Sequence, residues 1–351
     1  METDFILNGV AHGGIAQMLL NSGFNLNSLR PWIGRDGNHY ITSNQGGKLE
    51  PRRVQNANAT LTKDEWKQLD AAVRKAGKPR LTAVADLRAR GLEYVIPNGM
   101  GKTVLETQAQ SDISDAQITM DGLEDGQRDR PLYDLTSMPL PIIHKDFFFS
   151  ARQLQSSRNG NSPLDTSMAS LAGQKVAETA EKLLIGSTAY GTFGGGTLYG
   201  YTTFPYKISA EITSPAADGW SAATTVSDVL GMMQSSIEAY HYGPWVLYYG
   251  PSWSKYMNDE YKAQSPDTLA DRLRRIDKMD DVKMLDHLSG YTLLLVQMTE
   301  DVIREVVGME MTTVQWESHG GMKINFKVMA ILCPQPRADF NGNTGIVEGS
   351  V

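Results

Sequence analysis

The sequence predicts an α+β protein, on three observations. Ser162 to Gly186 is an uninterrupted stretch with helical spacing, Val226 to Val296 alternates helix-period runs with short apolar strands, and Thr312 to Ala330 reads as a hairpin. The long helix carries its own boundaries. Ser162 suits the N-cap, Pro163 the first position, where no N–H is needed, Asp165 a reach back to the cap, and Gly186 a left-handed stop. Leu164, Met168, Leu171, Ala172, Val176, Ala180, Leu183 and Leu184 recur three and four apart as a packing face. Glu178 and Lys182 pair on the other side, and small Ala169, Gly173 and Ala177 let a neighbouring backbone come close.

In chain order, residues 1–60 read as an arm rich in Asn, Gly and Ser, with a short helix candidate at Ile15 to Leu20 and a breaker at Arg30-Pro31. Its Phe5, Ile6, Phe24, Leu26, Trp32 and Tyr40 are too apolar for a free linker, so the arm is expected to lie on other surface. Deleting Met1 to Thr60 is accordingly expected to spare the body. Thr62 caps a helix lined by Trp66, Leu69, Ala72 and Val73, and a second helix runs from Leu81 to Arg90 before Gly91. From Tyr94 the pattern turns to strands. Ser111 to Arg130, around a Glu124-Asp125-Gly126 turn, reads as a two-stranded excursion, and isolated hairpins are marginal in water, so a neighbouring subunit is expected to receive it. Pro139 and Pro141 close it, and Ile142 to Phe149 returns as an aromatic strand.

Beyond the long helix, Gly191 to Pro205 reads as a glycine-rich loop. Val226, Leu230, Met233, Ile237 and Tyr240 mark a helix, Trp245 to Tyr249 a buried strand, Ser252 to Tyr261 and Thr268 to Met279 further helices, and Tyr291 to Val296 another buried strand. In the closing hairpin, Met322, Ile324, Phe326, Val328 and Ala330 face one way, Lys323, Asn325 and Lys327 the other, across a Ser318-His319-Gly320-Gly321 turn.

Composition limits the function classes. A chain of 351 residues with 41% hydrophobic content buries a substantial core, and its single cysteine, Cys333, excludes an internal disulfide framework and a cysteine-clustered zinc site. No run of about 18 apolar residues occurs, and Met1 to Leu20 carries acidic residues where a signal peptide needs basic ones, so a cytoplasmic setting without membrane contact is expected. Net charge is −7, which argues against a sequence-reading nucleic-acid binder. Charge is uneven, however: Lys48 to Glu93 holds 11 basic and 6 acidic residues, a local +5 against −12 elsewhere.

No constellation for catalysis, cofactor or metal binding emerges. Gly99-Met100-Gly101-Lys102-Thr103 offers a lysine and a hydroxyl as a phosphate loop does, but Ile96 stands where that motif needs glycine, and no helical pattern follows Thr103. His12, His39, His144, His241, His287 and His319 show no ligand spacing; His144, beside Lys145 and Asp146, reads as a strand-end support. Asp280-Asp281 and Glu124-Asp125 read as solvated turns, and Cys333 as buried packing.

The stretch PLPIIHKDFFFSARQLQSSRNGNSPLDTSMASLAGQKVAETAEKLLIG resembles the spine region of encapsulins and of tailed-bacteriophage major capsid proteins of the Hong Kong 97 fold. Leu61-Thr62-Lys63-Asp64-Glu65-Trp66 is similar to the first helix of encapsulin shells, and Thr299-Glu300-Asp301, Val314-Gln315-Trp316-Glu317 and Ala338-Asp339-Phe340-Asn341-Gly342-Asn343 to their C-terminal part. The resemblance covers residues 62–347 and implies a layout. Residues 1–93 would be the N-terminal arm and helices, 94–141 the extended E-loop, 142–205 the first part of the P-domain with its spine helix, 206–295 the A-domain, and 296–351 the remaining P-domain strands. It implies a non-enzymatic shell protein whose partners are its own copies, as pentamers and hexamers of an icosahedral virion assembled in a bacterial cytoplasm. Packaged double-stranded DNA is a nonspecific partner, faced by the +5 segment, and scaffolding, portal and decoration proteins are further ones. About sixty residues precede the encapsulin-like first helix, which favours the phage coat over the alternative, an encapsulin-type compartment enclosing cargo proteins. Some shells of this fold join a lysine to an asparagine covalently, for which Lys102 and Asn341 or Asn343 are the conceivable pair.

Overall fold

The computed structural model describes residues 6–7, 10–11, 29–45, 48–54, 60–111, 113, 116, 118, 120, 130–159, 165–188, 190–262 and 266–351. Near the start, β1 (Ile6–Leu7) pairs with β2 (Val10–Ala11). The described residues between 30 and 62 form a small sheet from β3 (Trp32–Ile33), β4 (His39–Gln45), β5 (Lys48–Arg53) and β6 (Leu61–Thr62), in the order β5-β4-β3-β6. Its turn is set by Asp36, which accepts hydrogen bonds from Asn38 and Tyr40, and Trp32 stacks on Tyr40 at 4.9 Å. The expected helix at Ile15 to Leu20 lies outside the described residues.

Helix α1 (Lys63–Gly77) starts as its sequence dictates: Thr62 Oγ1 accepts from the Glu65 N–H while the Glu65 carboxylate accepts from the Thr62 N–H. Helix α2 (Thr82–Ala89) ends before Gly91, whose φ of +72° only glycine adopts freely. Strand β7 (Glu93–Val95) follows, and β8 (Val104–Gln110) pairs antiparallel with β9 (Tyr133–Pro139) as a two-stranded ribbon. The expected turn at Glu124 to Gly126 lies outside the described residues. Strand β10 (Ile143–Ser150) leads into α3 (Ala151–Asn159), a helix the sequence analysis did not mark.

The long helix, α4 (Ser167–Ile185), begins later than the cap signals indicate, and Ser162 and Pro163 lie outside the described residues. It ends at Gly186, φ +95°, as expected. Its faces differ from the sequence reading: Met168 and Leu171 are about half exposed, while Glu178 and Glu181 are buried. Glu178 takes Lys175 and Gln174 as partners instead of Lys182. The glycine-rich loop contains a small hairpin, β11 (Tyr190–Phe193) with β12 (Gly196–Leu198).

The remaining elements build a second layer. They are β13 (Ile208–Glu211), α5 (Ala222–Glu238), β14 (Trp245–Tyr249), the short α6 (Ser254–Met257) and α7 (Leu269–Arg274), β15 (Met279–Met284) and β16 (Leu293–Gln297). Both short helices fall well inside the ranges expected, and 279–284 is a strand because it pairs in parallel with β14. Leu230 and Tyr240 are exposed instead of lining the core. The chain then crosses back through β17 (Ile303–Ser318) and β18 (Lys323–Pro336), a hairpin far longer than Thr312 to Ala330, with the expected turn. Met322 is exposed and Asn325 buried, against the expected alternation. Finally β19 (Ile346–Ser350) leaves that hairpin and enters the other sheet.

Two sheets result, β10-β18-β17-β7 and β13-β19-β16-β14-β15. The first packs under α1 and α4 around Phe326, against which Phe147 stacks at 5.2 Å and Trp66 and Phe149 stand edge-on at 5.9 and 5.6 Å. Each such pair contributes about 0.5–1.5 kcal/mol beyond area burial. The second sheet is buried between α5 with the short helices on one face and the Tyr201, Leu184 and Ile185 region on the other. Helices α1 and α4 touch backbone to side: a Cβ at Gly173 would lie 2.7 Å from the Val73 carbonyl oxygen. The small-residue reading of α4 is thus realised at Gly173, with Ala177 against Gly77.

Gly173→Ala is therefore expected to destabilise the chain by about 1–3 kcal/mol, although alanine is the better helix former. Gly191→Ala, at a position with nothing near the added carbon, serves as control in the same urea titration. An unchanged midpoint for the first variant would refute the close approach.

Candidate functional site

Three surfaces or junctions stand apart from ordinary packing. The first is where the β3 to β6 segment is fastened to the body. Arg30 is buried; it donates to Asp70 Oδ2 at 2.6 Å and to the Thr313 carbonyl at 2.5 Å, and its guanidinium lies 4.1 Å from the Trp66 ring centroid. Trp66 Nε1 donates to the Pro31 carbonyl at 3.1 Å, and Arg158 reaches both Glu65 and the Thr60 carbonyl, at 2.8 and 2.6 Å. Burial opposes charge on both partners, holding the Asp70 carboxyl above its usual range and the Arg30 guanidinium below its own. A deletion through Thr60 would remove the cation paired with Asp70, a contact that the expectation of a surviving body did not include. The fastening residue itself lies at position 30.

The second is the β8/β9 ribbon. Its root is buried at Leu105 and Met138, but Leu132, Tyr133 and Leu135 are 65%, 62% and 54% exposed, and Ile118 and Met120 farther out are fully exposed. Tyr133 and Leu135, two apart on one strand, share a face. Large apolar side chains on a two-stranded ribbon mark a surface that another chain covers. Beside the stem a groove of about 490 Å³ opens between Gln108, Tyr206, His241, Asp301 and Phe340. In it His241 Nδ1 stands 3.8 Å from Asp301 Oδ2, too far for the hydrogen bond that orients a catalytic base.

The sequence motifs resolve into structure. Gly99–Gly101 is a single 3-10 turn closed by Asn98, whose side chain accepts from the Gly101 N–H at 3.1 Å; Thr103 leads into a strand. Gly99 is glycine because the Gly308 backbone presses on it: an added Cβ would lie 2.3 Å from the Gly308 oxygen. Lys102 is exposed, Asn343 is engaged by Asp339 at 2.9 Å, and no hydrogen bond joins Lys102 to Asn341 or Asn343 among the described residues. His144 lies 3.6 Å from Asp146. Asp280, which is exposed as expected, pairs with Arg90, and half-buried Asp281 pairs with Arg274 and Lys283. Cys333 is buried, and burial pushes its thiol up to about 12. Among the described residues no group of three His, Cys, Asp or Glu side chains is placed to hold a metal ion.

The third is a polar junction that sequence reasoning missed, because its carboxylates, on α4, α2 and β17, meet their partners only in the folded chain. Glu181 on α4 accepts from the Ala83 and Val84 N–H groups at the start of α2, at 2.6 and 3.3 Å. Asp86 on α2 accepts from Tyr248 at 2.9 Å and Lys283 at 2.5 Å on the second sheet. Glu305 accepts from Arg88 at 2.9 Å. Burial pushes Glu181 up to about 7, with the two N–H groups pulling it back, and pushes Glu305 up to about 7 against the pull of Arg88.

Two predictions follow from these contacts. Asp70→Asn is expected to cost about 3–5 kcal/mol by stranding Arg30, whereas the double variant Arg30→Met, Asp70→Leu loses much less; equal, additive losses in a double-mutant cycle would contradict the pairing. A carboxyl whose folded pKa exceeds its unfolded one stabilises fully below about pH 4.3 and loses that contribution as pH rises through about 7. Glu181→Gln should therefore flatten the fall in the urea midpoint between pH 5 and 8, and an unaltered pH profile would show that Glu181 does not titrate there.

With this geometry in hand, comparison gives the fold its place. The virus-like particle of Pyrococcus furiosus superposes with a TM-score of 0.57 over 81% of this chain and 98% of its own, at 15% identity. The capsid of Myoviridae phage XM1 does so at 0.55, over 74% and 90%, at 9% identity, and the capsid of a native GTA particle at 0.50, over 75% and 89%, at 12% identity. No curated protein sequence matches the chain. Residues 56–349 match a family described as a family of unknown function, DUF6260. The chain is thus a member of that family, and its fold is the Hong Kong 97 fold seen in phage capsids and in an encapsulin-like particle.

Proposed function

We propose that this chain is the major capsid protein of a tailed bacteriophage, which self-assembles as pentamers and hexamers into an icosahedral head around a double-stranded DNA genome. The observation that carries the reading is the β8/β9 ribbon, whose Tyr133 and Leu135 are left uncovered among the described residues. A ribbon of this kind is completed by a neighbouring copy, and the half-exposed Met168 and Leu171 on α4 offer a second apolar surface for such contacts. In this reading residues 94–141 are the E-loop, 142–205 and 296–351 supply the P-domain, 206–295 the A-domain, and 1–93 the arm with its helices. The strand β19 is the exception, since it belongs by pairing to the A-domain sheet. The role is structural and non-enzymatic. Scaffolding, portal and decoration proteins would be further partners, and assembly would take place in the host cytoplasm.

A second reading, an encapsulin-type compartment enclosing protein cargo, is favoured by the match over 98% of the Pyrococcus furiosus particle protein. The small sheet preceding α1, fastened through Arg30, speaks for the coat, because it lies where the encapsulin-like part begins.

Electron cryo-microscopy of native particles tests both. Shells filled with DNA support the coat, shells filled with protein favour the compartment, and discrete monomers or dimers refute both. Tyr133→Asp combined with Leu135→Asp is expected to leave subunit melting unchanged and to abolish shells. Normal shells from that variant would remove the ribbon from the assembly contacts.

A further inference from the structure

One flank of α1, beside its buried side, carries a line of exposed cations, of which Lys67 alone is ion-paired among the described residues. At 100° per residue, Lys63, Arg74, Lys67 and Lys78 fall at about 0°, 20°, 40° and 60° around the helix, within one sixth of its circumference. Lys78 belongs to this line because its φ and ψ, −53° and −44°, continue the helix. All four residues are exposed, and they span about 22 Å at 1.5 Å per residue. Lys75 stands beside them. The acidic residues of the same helix are mostly turned away: Glu65 is held by Arg158 and Asp70 by Arg30, which leaves Asp64, 3.6 Å from Lys67. Among the described residues no carboxylate lies within ion-pair distance of Lys63, Arg74 or Lys78. Arg74 gives its Nε to the Asp70 carbonyl at 3.4 Å, and Lys63 sits 5.6 Å from the Trp32 ring centroid. On a chain of net charge −7, such a line is not a by-product of composition.

We infer that this face of α1 is a contact surface for the phosphate backbone of duplex DNA, read without regard to sequence. The inference rests on the shell reading for its setting, since it places α1 toward the enclosed genome. Long, flexible cations spaced along a straight edge suit a polyanion of regular charge spacing. An acidic peptide would need apolar anchors as well, and no large apolar side chain of α1 is exposed.

The test is fluorescence anisotropy of a 20-bp duplex titrated with full-length subunits from 50 to 200 mM NaCl. Four phosphate contacts predict a slope of log K against log salt near −3.6. The variant K63Q/K67Q/R74Q/K78Q is expected to weaken binding at least tenfold at 50 mM and to lose most of that slope, while K63R/K67R/R74K/K78R retains both. Should the glutamine quadruple fail to fold by circular dichroism, Lys67→Gln and Lys78→Gln singly decide, each lowering the slope by about 1. A wild-type slope in the glutamine variants overturns the inference. So does polyglutamate binding the wild type more tightly than the duplex does. Electron microscopy of the same preparations separates this from the shell reading: shells whose subunits ignore DNA end the inference alone, whereas DNA binding through the stripe without shells ends the shell reading alone.

Discussion

The approach of α1 to α4 at Gly173 is the constraint on which much else hangs. Because no side chain stands between that glycine and the Val73 carbonyl, α1 lies close enough to the long helix to share the Phe326 core and to hold Trp66 over it. Trp66 and Asp70 then form the seat for Arg30, so the small sheet before α1 takes its position from a missing methyl group on α4. Beside that packed side Lys63, Lys67, Arg74 and Lys78 remain exposed.

At its other end α4 is joined to the second sheet by charge and hydrogen bonding. Glu181 receives the start of α2, and Asp86 on α2 receives Tyr248 and Lys283. The two layers are thereby coupled through three carboxyl-centred contacts in a buried setting, where each bond is geometrically demanding and an unmatched group is costly. Nearby, the buried Tyr201 hydroxyl has no hydrogen-bond partner among the described residues, and its phenol is held well above its usual range by burial.

Local chemistry was legible in the sequence where it is local in cause. The Thr62 and Glu65 cap, the Gly186 stop and the Ser318 to Gly321 turn each follow from a few neighbouring residues, and each is where the pattern put it. What failed depended on distant partners. Met279 reads as the end of a helix and Asp280-Asp281 as a turn until β14 is beside them, and Glu178 reads as the partner of Lys182 on the side away from the packing face until the chain folds over it. Met168 and Leu171 read as core because periodicity reports that a face is apolar, not whether this chain or another covers it. The glycine loop at 99–101 has a steric cause in Gly308, over two hundred residues away, which no motif search sees. An assembly surface is legible only as something unfinished: the sequence pointed to a two-stranded excursion at Ser111 to Arg130, most of which lies outside the described residues, while the ribbon that is described, Val104–Gln110 with Tyr133–Pro139, flanks it, and the Arg30 seat, the groove and the carboxyl junction were not visible.

The position of β19 has a consequence for the order in which the molecule is made. Ile346–Ser350 lies between β13 and β16, so the strands on either side of it have no ladder joining them until a stretch some fifty residues beyond Gln297 has left the ribosome. Helices α1 and α4 of the first layer draw on earlier sequence and are free to pack on each other sooner. Synthesis itself thus acts as a timer: a nascent chain carries its ribbon and its cationic helix before it owns a complete second sheet, and a subunit of finished shape exists only once its final strand is threaded.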